Sequence, residues 1–241
     1  MANSVSVVIP AYKEFENLPK LINRVALLRA QLNPLEIIIV DDDSKDGTFT
    51  YLGKLQRDND WIKFIFRKNQ RGLSSAVIEG FKQARYSILV CMDADLSHPP
   101  EIIPQMVEAI SKPNVDFVIG SRFVKGGSVP DTWSFSRWLN TIVARCFARL
   151  FTNAKDPMSG FFCLKQSTFK QADKLNPIGY KIGLELIVKC HCKNIVEIPI
   201  HFAKRFKGKS KLSLREMINY LIHIKRLVGF RYLRAVDDRK K

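Results

Sequence analysis

The sequence predicts an α/β fold in which a mainly parallel sheet carries helices on both faces. Short apolar runs of strand length alternate with segments whose apolar residues recur at helical spacing, and polar or acidic residues end the apolar runs. The runs are mostly apolar rather than apolar only at every second position, which is typical of strands covered on both faces. The chain has 241 residues and is 46% hydrophobic, so it can bury one sizeable core.

The elements of the first half follow in order. Strands are predicted at residues 5–9, 36–40, 62–66, 87–92 and 117–120. Helices are predicted between them at residues 17–30, 48–56, 74–84 and 100–110. Acidic residues gather just behind the second and fourth strands. In open α/β sheets, ligands bind at this carboxyl edge.

The pattern changes beyond residue 120. A helix is predicted at 134–151, a strand at 195–202, a basic loop at 204–211 and a second amphipathic helix from 214 to about 233. In that last helix one predicted face is apolar, with Leu214, Met217, Ile218, Leu221, Ile224 and Val228. The opposite face is predicted to be polar, with Arg215, Asn219, His223 and Arg226. The aromatic residues Trp133, Trp138 and Phe147 fit either a packed core or a groove for a lipid chain.

The net charge of +16 indicates anionic partners such as lipid head groups, phosphorylated substrates or nucleic acid. Residues 201–241 alone contain 13 Lys and Arg against 3 Asp and Glu. No run approaches the roughly 20 apolar residues of a membrane span, and the N-terminus lacks the pattern of a signal peptide. We therefore expect a cytoplasmic protein, peripheral to the cytoplasmic face of a membrane. The five cysteines are expected to be reduced, without a metal at Cys190 and Cys192.

The strongest chemical signal is the pair Asp93 and Asp95 behind the fourth strand. Two neighbouring carboxylates stay charged together more easily beside a cation. Ligands made only of oxygen suit Mg²⁺ or Mn²⁺, which keep open positions for diphosphate oxygens. A solvated turn is the alternative interpretation, and the position behind a buried strand favours the metal.

A second acidic cluster, Asp41 to Asp43, follows the second strand. It could hold a metal, accept a phosphoryl group, or bind the ribose or base of a nucleotide. A receiver domain also places acids behind its first and third strands. Such a domain has about half this length, and it would leave Asp93 and the basic second half unexplained.

Several ordered motifs together resemble one known family. The segments 7–14 (VVIPAYKE) and 38–48 (IIVDDDSKDGT) resemble the start of the inverting family 2 glycosyltransferases, which have the GT-A fold. The segments 92–99 (MDADLSHP), 120–122 (GSR), 156–161 (DPMSGF) and 199–202 (PIHF) are similar to its dolichol-phosphate mannose synthase branch. The resemblance covers roughly residues 4 to 225.

The resemblance implies a role for each matching position. The nucleotide base and ribose would be held by Pro10, Tyr12, Glu14, Val40 and Asp42. The metal would be bound by Asp93 and Asp95, with Ala94 against the nucleotide. The acceptor phosphate would be gripped by Arg122 and Arg137, and the donor diphosphate covered by a loop carrying Arg205 and Lys211. Two positions depart from the family: Ser97 stands where some members have a metal-binding glutamine, and Asp43 replaces the usual glycine.

The function that the resemblance implies is inverting transfer of a hexose, mannose from GDP-mannose, to a polyprenyl phosphate. A phosphate oxygen is already ionised at neutral pH, so the protein needs to supply alignment and charge neutralisation rather than a general base. The alternatives are another nucleotide-sugar, such as UDP-glucose, with a polyprenyl phosphate or a glycan hydroxyl as acceptor, and a non-enzymatic nucleic-acid-binding or signalling module. The paired acids argue against the last, and we expect no nucleic acid partner.

Residues 1–212 are predicted to form the transferase domain. Within it, 1–120 would bind the nucleotide-sugar and 121–212 the acceptor. Residues 213–241 would form a basic amphipathic helix lying on anionic lipid. A separate membrane-anchoring subunit is a further candidate partner.

Overall fold

The computed structural model describes residues 4–204 and 214–238. Within these ranges the strands are β1 (Val5–Ala11), β2 (Leu35–Asp41), β3 (Ile62–Phe66), β4 (Ile88–Cys91), β5 (Phe117–Ser121), β6 (Phe162–Lys165) and β7 (Ile195–Pro199). The helices are α1 (Leu18–Ala26), α2 (Thr48–Asp58), α3 (Leu73–Lys82), α4 (Ile103–Ser111), α5 (Phe135–Ala148), α6 (Gln166–Lys170), α7 (Ile182–Lys189) and α8 (Leu214–Asp238). Short 3-10 helices extend α1 at Leu27–Ala30 and precede α4 at Pro100–Ile102.

The strands form one sheet in the order β3-β2-β1-β4-β6-β5-β7. β6 runs antiparallel to β4 and β5, and the other neighbouring pairs are parallel. The predicted mainly parallel α/β fold is therefore confirmed. β6, α6 and α7 were not predicted, since four residues of strand with no flanking alternation carry little sequence signal.

Two apolar layers cover the sheet, one on each face. Val5, Val7 and Ile9 of β1 point into the layer that contains the buried residues of α1 and α4. Val8 points into the other layer, with the buried residues of α3 and α7. Successive strand residues face opposite sides, so a strand inside two apolar layers is mostly apolar, and the buried exceptions Ser6 of β1 and Glu36 of β2 hydrogen bond to each other. This is the physical reason for the continuous apolar runs.

Helix α8 packs differently from its predicted pattern. Its buried residues are Tyr220, His223, Ile224 and Leu227. The predicted apolar face is instead largely exposed, at Met217, Ile218, Leu221 and Val228. The placement of His223 on the polar face was wrong: its ring is fully buried and its Nε2 lies 2.6 Å from Oε2 of Glu185 on α7. The buried Glu185 carboxylate pairs with His223, which explains why this histidine lies on the packed face.

Helix α5 also leaves apolar side chains in solvent. Phe135, Trp138, Leu139, Val143 and Phe147 are all exposed. Of the two interpretations of the aromatic residues, the packed core is therefore wrong for Trp138 and Phe147. Among the described helices, none is both long and apolar enough to cross a membrane. All five cysteines are free thiols, as expected.

Candidate active site

The structure brings the predicted donor residues to one edge of the sheet. Pro10 of β1 pairs in register with Val40 of β2, so the segments that follow these two strands lie side by side. Val8 of β1 pairs with Cys91, the last residue of β4, and the Asp93 segment therefore follows at the same edge. Parallel pairing alone produces this meeting of distant segments.

Asp42 is almost fully buried and is held by Arg67, which directly follows β3. Its Oδ1 accepts hydrogen bonds from Nε (2.7 Å) and Nη2 of Arg67, and its Oδ2 accepts one from the Gly72 N–H at 2.8 Å. Arg67 also donates to the Gly72 carbonyl and to Ser75 Oγ. The turn behind β2 is thereby locked to the start of α3. Arg67 was not predicted, although its position behind a strand end is the signal that could have indicated it.

The other two acids of this cluster shape the turn. Asp41 is buried and accepts hydrogen bonds from both the N–H and the hydroxyl of Ser44. Burial is the main cause of its raised pKa, opposed by these two bonds. Asp43 has a φ of 57°, in the left-handed region. Asp is among the few residues other than glycine that adopt this region, which explains how it stands in for the family's glycine.

The turn behind β1 presents Tyr12 and Glu14 beside this edge. The Arg71 guanidinium lies 4.4 Å from the centroid of the Tyr12 ring. Glu14 accepts a hydrogen bond from the amide of Asn17 at the start of α1. Both side chains are half-buried. An aromatic face and a fixed carboxylate are therefore available next to the strand ends.

Asp95 is 5% exposed, and Ser97 holds it. Both the N–H and the hydroxyl of Ser97 donate to Oδ1 of Asp95. Ser97 is itself fully buried, so the structure places its hydroxyl against Asp95. Its role as a metal ligand stays a prediction.

Asp93 is the more open carboxylate, with 26% of its side chain exposed. Its backbone N–H donates to Nδ1 of His98 at 3.1 Å. The His98 ring is buried and stacks on Phe161, with centroids 5.2 Å apart. Burial lowers the pKa of His98, opposed by Asp93. A neutral ring that accepts at Nδ1 carries its proton on Nε2, so His98 anchors the backbone of Asp93 as an uncharged group.

The surroundings of the pair fit a divalent cation. Gly160 lies against Asp93: a Cβ at this position would be 3.1 Å from Oδ1. No cluster of three or more His, Cys, Asp and Glu side chains that could hold a metal occurs in 4–204 and 214–238. Asp93 and Asp95 are the two carboxylates that could bind a metal at this edge, with diphosphate and water as further ligands. Mg²⁺ and Mn²⁺ are bound in this manner by few protein ligands.

Arg122 and Arg137, predicted to grip the acceptor phosphate, lie around one aromatic ring. Their guanidinium carbons are 5.6 Å and 4.2 Å from the centroid of Trp133. Nε and Nη2 of Arg122 both donate to the fully buried Asp156 at 2.8 Å. Glu197 in turn accepts from the N–H of Asp156. Asp156 therefore supports Arg122 and fixes the plane of its guanidinium.

Arg205 and Lys211, predicted to cover the donor diphosphate, lie outside the described residues. The structure places the other predicted donor residues at the carboxyl edge: Pro10 and Val40 are buried strand residues, and Ala94 lies between the two aspartates. Their role in binding the donor stays a prediction. Sequence reasoning missed Arg67 and His98. Arg67 precedes Lys68, and His98 stands in the segment 92–99 of the paired acids, but only the fold shows which groups they bond to.

Comparison with known proteins identifies the family. The model of "Glycosyl transferase family 2" matches residues 6–172. A dolichol-phosphate mannosyltransferase of Pyrococcus furiosus is 45% identical over 228 residues, which are 93% of this chain and 63% of that protein. The chain thus spans less than two thirds of that relative. A dolichol-phosphate mannosyltransferase of Mycosarcoma maydis is 41% identical over 95% of this chain and 80% of its own length.

Solved structures share the fold at low sequence identity. Glucosyl-3-phosphoglycerate synthase from Mycobacterium tuberculosis, solved with Mn²⁺, UDP-glucose and phosphoglyceric acid, aligns with a TM-score of 0.67 and 15% identity over 95% of this chain and 79% of that chain. The predicted GT-A fold is confirmed by this likeness. Together with the family match and the curated relatives, the resemblance noted in the sequence is confirmed: the chain belongs to glycosyltransferase family 2.

Proposed function

We propose that the protein transfers mannose from GDP-mannose to a polyprenyl phosphate, with inversion at the anomeric carbon. The observation that carries this proposal is the pair Arg122 and Arg137 around Trp133. Asp156, which holds Arg122, lies in the loop whose Gly160 contacts the Asp93 carboxylate. The arginine pair that we propose to bind phosphate therefore lies beside the candidate metal site. The names of the two mannosyltransferase relatives support the sugar and the lipid phosphate.

The donor would bind along the edge formed by β1, β2 and β4. Tyr12, Glu14 and Asp42 would hold the base and ribose above the walls made by Pro10 and Val40. Ala94 would lie against the nucleotide. Asp42 accepts hydrogen bonds from Arg67, so it would also stabilise the conformation of the proposed nucleotide site. Arg205 and Lys211 remain the proposed contacts to the diphosphate.

Asp93 and Asp95 would bind Mg²⁺ or Mn²⁺, with Ser97 as a further candidate ligand. A metal held there would supply positive charge to neutralise the departing diphosphate. Ser97 and His98 orient the two aspartates before any ligand binds, because their hydrogen bonds are formed within the protein. Preformed positions of this kind spare the site reorganisation during the reaction.

Arg122 and Arg137 would orient the acceptor phosphate for direct attack on the anomeric carbon. Arg122 points one edge of its guanidinium at Asp156, so its remaining N–H groups are available to a ligand phosphate. Guanidinium groups bind phosphate bidentately, which fixes the direction of an attacking oxygen. No protein base is needed, since the phosphate is already ionised.

The lipid part of the acceptor would approach along α5 and α8. Arg137 lies in the first turn of α5, and the exposed Trp138 and Leu139 follow it. On α8, the exposed Met217, Ile218 and Leu221 add apolar surface. We infer that this surface lies on the cytoplasmic face of a membrane, bound directly or through an anchoring subunit. In this proposal residues 1–120 bind the donor, 121–212 the acceptor, and 213–241 the membrane.

The test is a matrix of GDP-mannose, UDP-glucose and other nucleotide-sugars against polyprenyl phosphates, a glycan acceptor and no acceptor. Mass spectrometry should identify mannosyl phosphoryl polyprenol as the product. Excess chelator, or Asp95→Ala, should abolish transfer while circular dichroism shows an intact fold. Transfer from UDP-glucose alone, or to the glycan alone, would replace the proposal by the corresponding alternative. Full activity in chelator would contradict the metal assignment.

A further inference from the structure

Lys181 lies at the start of α7, in a segment that packs against the candidate metal site. A Cβ on Gly183 would be 3.4 Å from the backbone oxygen of Ser159. The next residue, Gly160, lies against Asp93. The first turn of α7 therefore rests on the loop that touches this aspartate. Lys181 immediately precedes that turn.

The same segment is fixed from two other sides. Ser74 in the first turn of α3 donates a hydrogen bond of 2.7 Å to the carbonyl of Gly179. A Cβ on Gly179 would lie 3.0 Å from Oε2 of Glu216 on α8. Lys181 is thus positioned between the donor edge, where α3 begins, and the C-terminal helix.

The loop under α7 also carries Asp156, which pairs with Arg122 through two hydrogen bonds of 2.8 Å. Burial is the main influence on the pKa of Lys181, and the charges of Arg122, Asp156, Asp93 and Glu216 also affect it. Asp93 would bind the metal. The strongest negative neighbours of Lys181 therefore already have partners of their own when the site is loaded.

Within 4–204 and 214–238 the Lys181 ammonium forms no hydrogen bond or ion pair, although the side chain is half-buried. Burial, with a contribution from Arg122, lowers the pKa of Lys181 to about 8. Three N–H donors that have lost part of their water and have no protein partner are costly. An anionic ligand beside Arg122 would supply the missing acceptors.

We propose that Lys181 is a further binding residue for the acceptor phosphate, acting together with Arg122 and Arg137. This proposal rests on the proposed transfer to a polyprenyl phosphate. The acceptor phosphate is favoured over the donor diphosphate because the loop on which α7 begins also carries Asp156, which holds Arg122, whereas the charge of Asp93 would be met by the metal. Three cations from α5, α7 and the strand end of β5 would then surround one phosphate.

The experiment compares Lys181→Met, which removes the charge and keeps the length, with Lys181→Arg, which keeps the charge. Lys170→Met is the matched control: Lys170 is an exposed lysine of α6, which follows β6 at the opposite edge of the sheet. Initial rates are measured against polyprenyl phosphate concentration at saturating GDP-mannose and Mg²⁺. Calorimetry measures the Kd for GDP with Mg²⁺.

Lys181→Met should raise the KM for polyprenyl phosphate about tenfold, as expected for one lost hydrogen bond between charged groups. The Kd for GDP should change less than about twofold. Lys181→Arg should restore most of the affinity for the lipid phosphate, and Lys170→Met should match the wild type. Lys181→Met should unfold at the same urea concentration as the wild type or higher, because it removes an unpaired, half-buried charge. Lys181→Gln provides the same comparison if Lys181→Met does not fold.

Three results would overturn the inference: an unchanged KM in the neutral variants, an equal loss of GDP affinity, or an arginine variant as impaired as the methionine variant. The second would assign Lys181 to the donor diphosphate and the third to packing. A wild-type enzyme that transfers to no polyprenyl phosphate would overturn the proposed function and this inference together. A wild type that is active beside unaffected variants would overturn this inference alone.

Discussion

Gly160→Ala should weaken metal-dependent activity without unfolding the protein. The added methyl carbon would lie 3.1 Å from Oδ1 of Asp93, closer than ordinary contact, and 3.4 Å from Oδ2, at the lower limit of ordinary contact. The backbone of Gly160 is not in the left-handed region, so alanine introduces no backbone strain. The strain therefore falls on the Asp93 carboxylate, which is the more open of the two and can move.

The magnitude follows from the displacement. Relief of the contact needs a movement of roughly 0.3 Å, taking 3.4 Å as the ordinary separation. A misplacement of about 1 Å at an active site costs about 100-fold in rate. If the loss scales exponentially with distance, 0.3 Å corresponds to about fourfold. We expect the Mg²⁺ concentration for half-maximal activity to rise by about this factor, or the rate at saturating Mg²⁺ to fall by it.

The assay is mannosyl transfer titrated with Mg²⁺, with urea unfolding on the same samples. Gly53→Ala is the matched control, because a Cβ on this residue of α2 meets nothing within 4 Å. It should titrate like the wild type and increase the free energy of unfolding by up to about 1 kcal/mol. A Gly160→Ala titration that superimposes on the wild type would refute the close approach to Asp93. So would a large loss of stability, which would show that the fold and not the carboxylate takes up the strain.

Three further predictions concern charged side chains. Asp156→Asn should lower the free energy of unfolding by about 3 kcal/mol in urea titration, because Arg122 loses a buried charged partner. It should also raise the KM for the lipid phosphate. A loss of stability under about 1 kcal/mol would argue against the Arg122–Asp156 pair. His223→Ala should cost about 3 kcal/mol at neutral pH by leaving the buried carboxylate of Glu185 without its imidazole. Burial acts to raise the pKa of Glu185, but hydrogen bonds from His223 and a backbone N–H outweigh it, so the net pKa lies below the ordinary 4.5. The stability from this carboxylate is therefore present above 4.5 and lost as the pH falls through the lower folded value, and a Glu185→Gln variant should show a flatter acid titration. Arg137→Ala should raise the KM for polyprenyl phosphate about tenfold with GDP affinity unchanged, and Arg137→Lys should rescue only in part because a point charge lacks the bidentate fork; poor GDP binding with normal lipid kinetics would reverse the assignment.

The pattern of neighbouring residues was sufficient for the elements whose structure depends on local sequence alone. The bounds of β1, β2, β3 and β5 agree with the apolar runs to within two residues, because a strand between two apolar layers has no alternative environment. The acids behind β2 and β4 were identified from position alone. Strand ends of a parallel sheet meet at one edge whatever the residues are.

Prediction from local sequence failed where an element depends on contacts between segments that are distant in the sequence. β6 is a strand because β4 and β5 leave a gap that Phe162 and its neighbours fill in antiparallel register. His223 was predicted on the polar face of its helix, and only the structure shows that it is paired with Glu185. The hydrogen bonds between Arg67 and Asp42 are likewise visible only in the structure.

Sequence patterns alone predicted the fold class, the carboxyl edge as the candidate site, and the acids and arginines proposed to act there. These depend on hydrophobic periodicity and on ordered motifs, which are properties of contiguous residues. The tertiary structure was needed to show which stripe of α8 is buried, which carboxylate holds Arg122, and that the start of α7 packs on the loop beside Asp93. The physical reason is that a buried charge takes whatever partner the fold brings within a few ångströms, and that partner is remote in sequence.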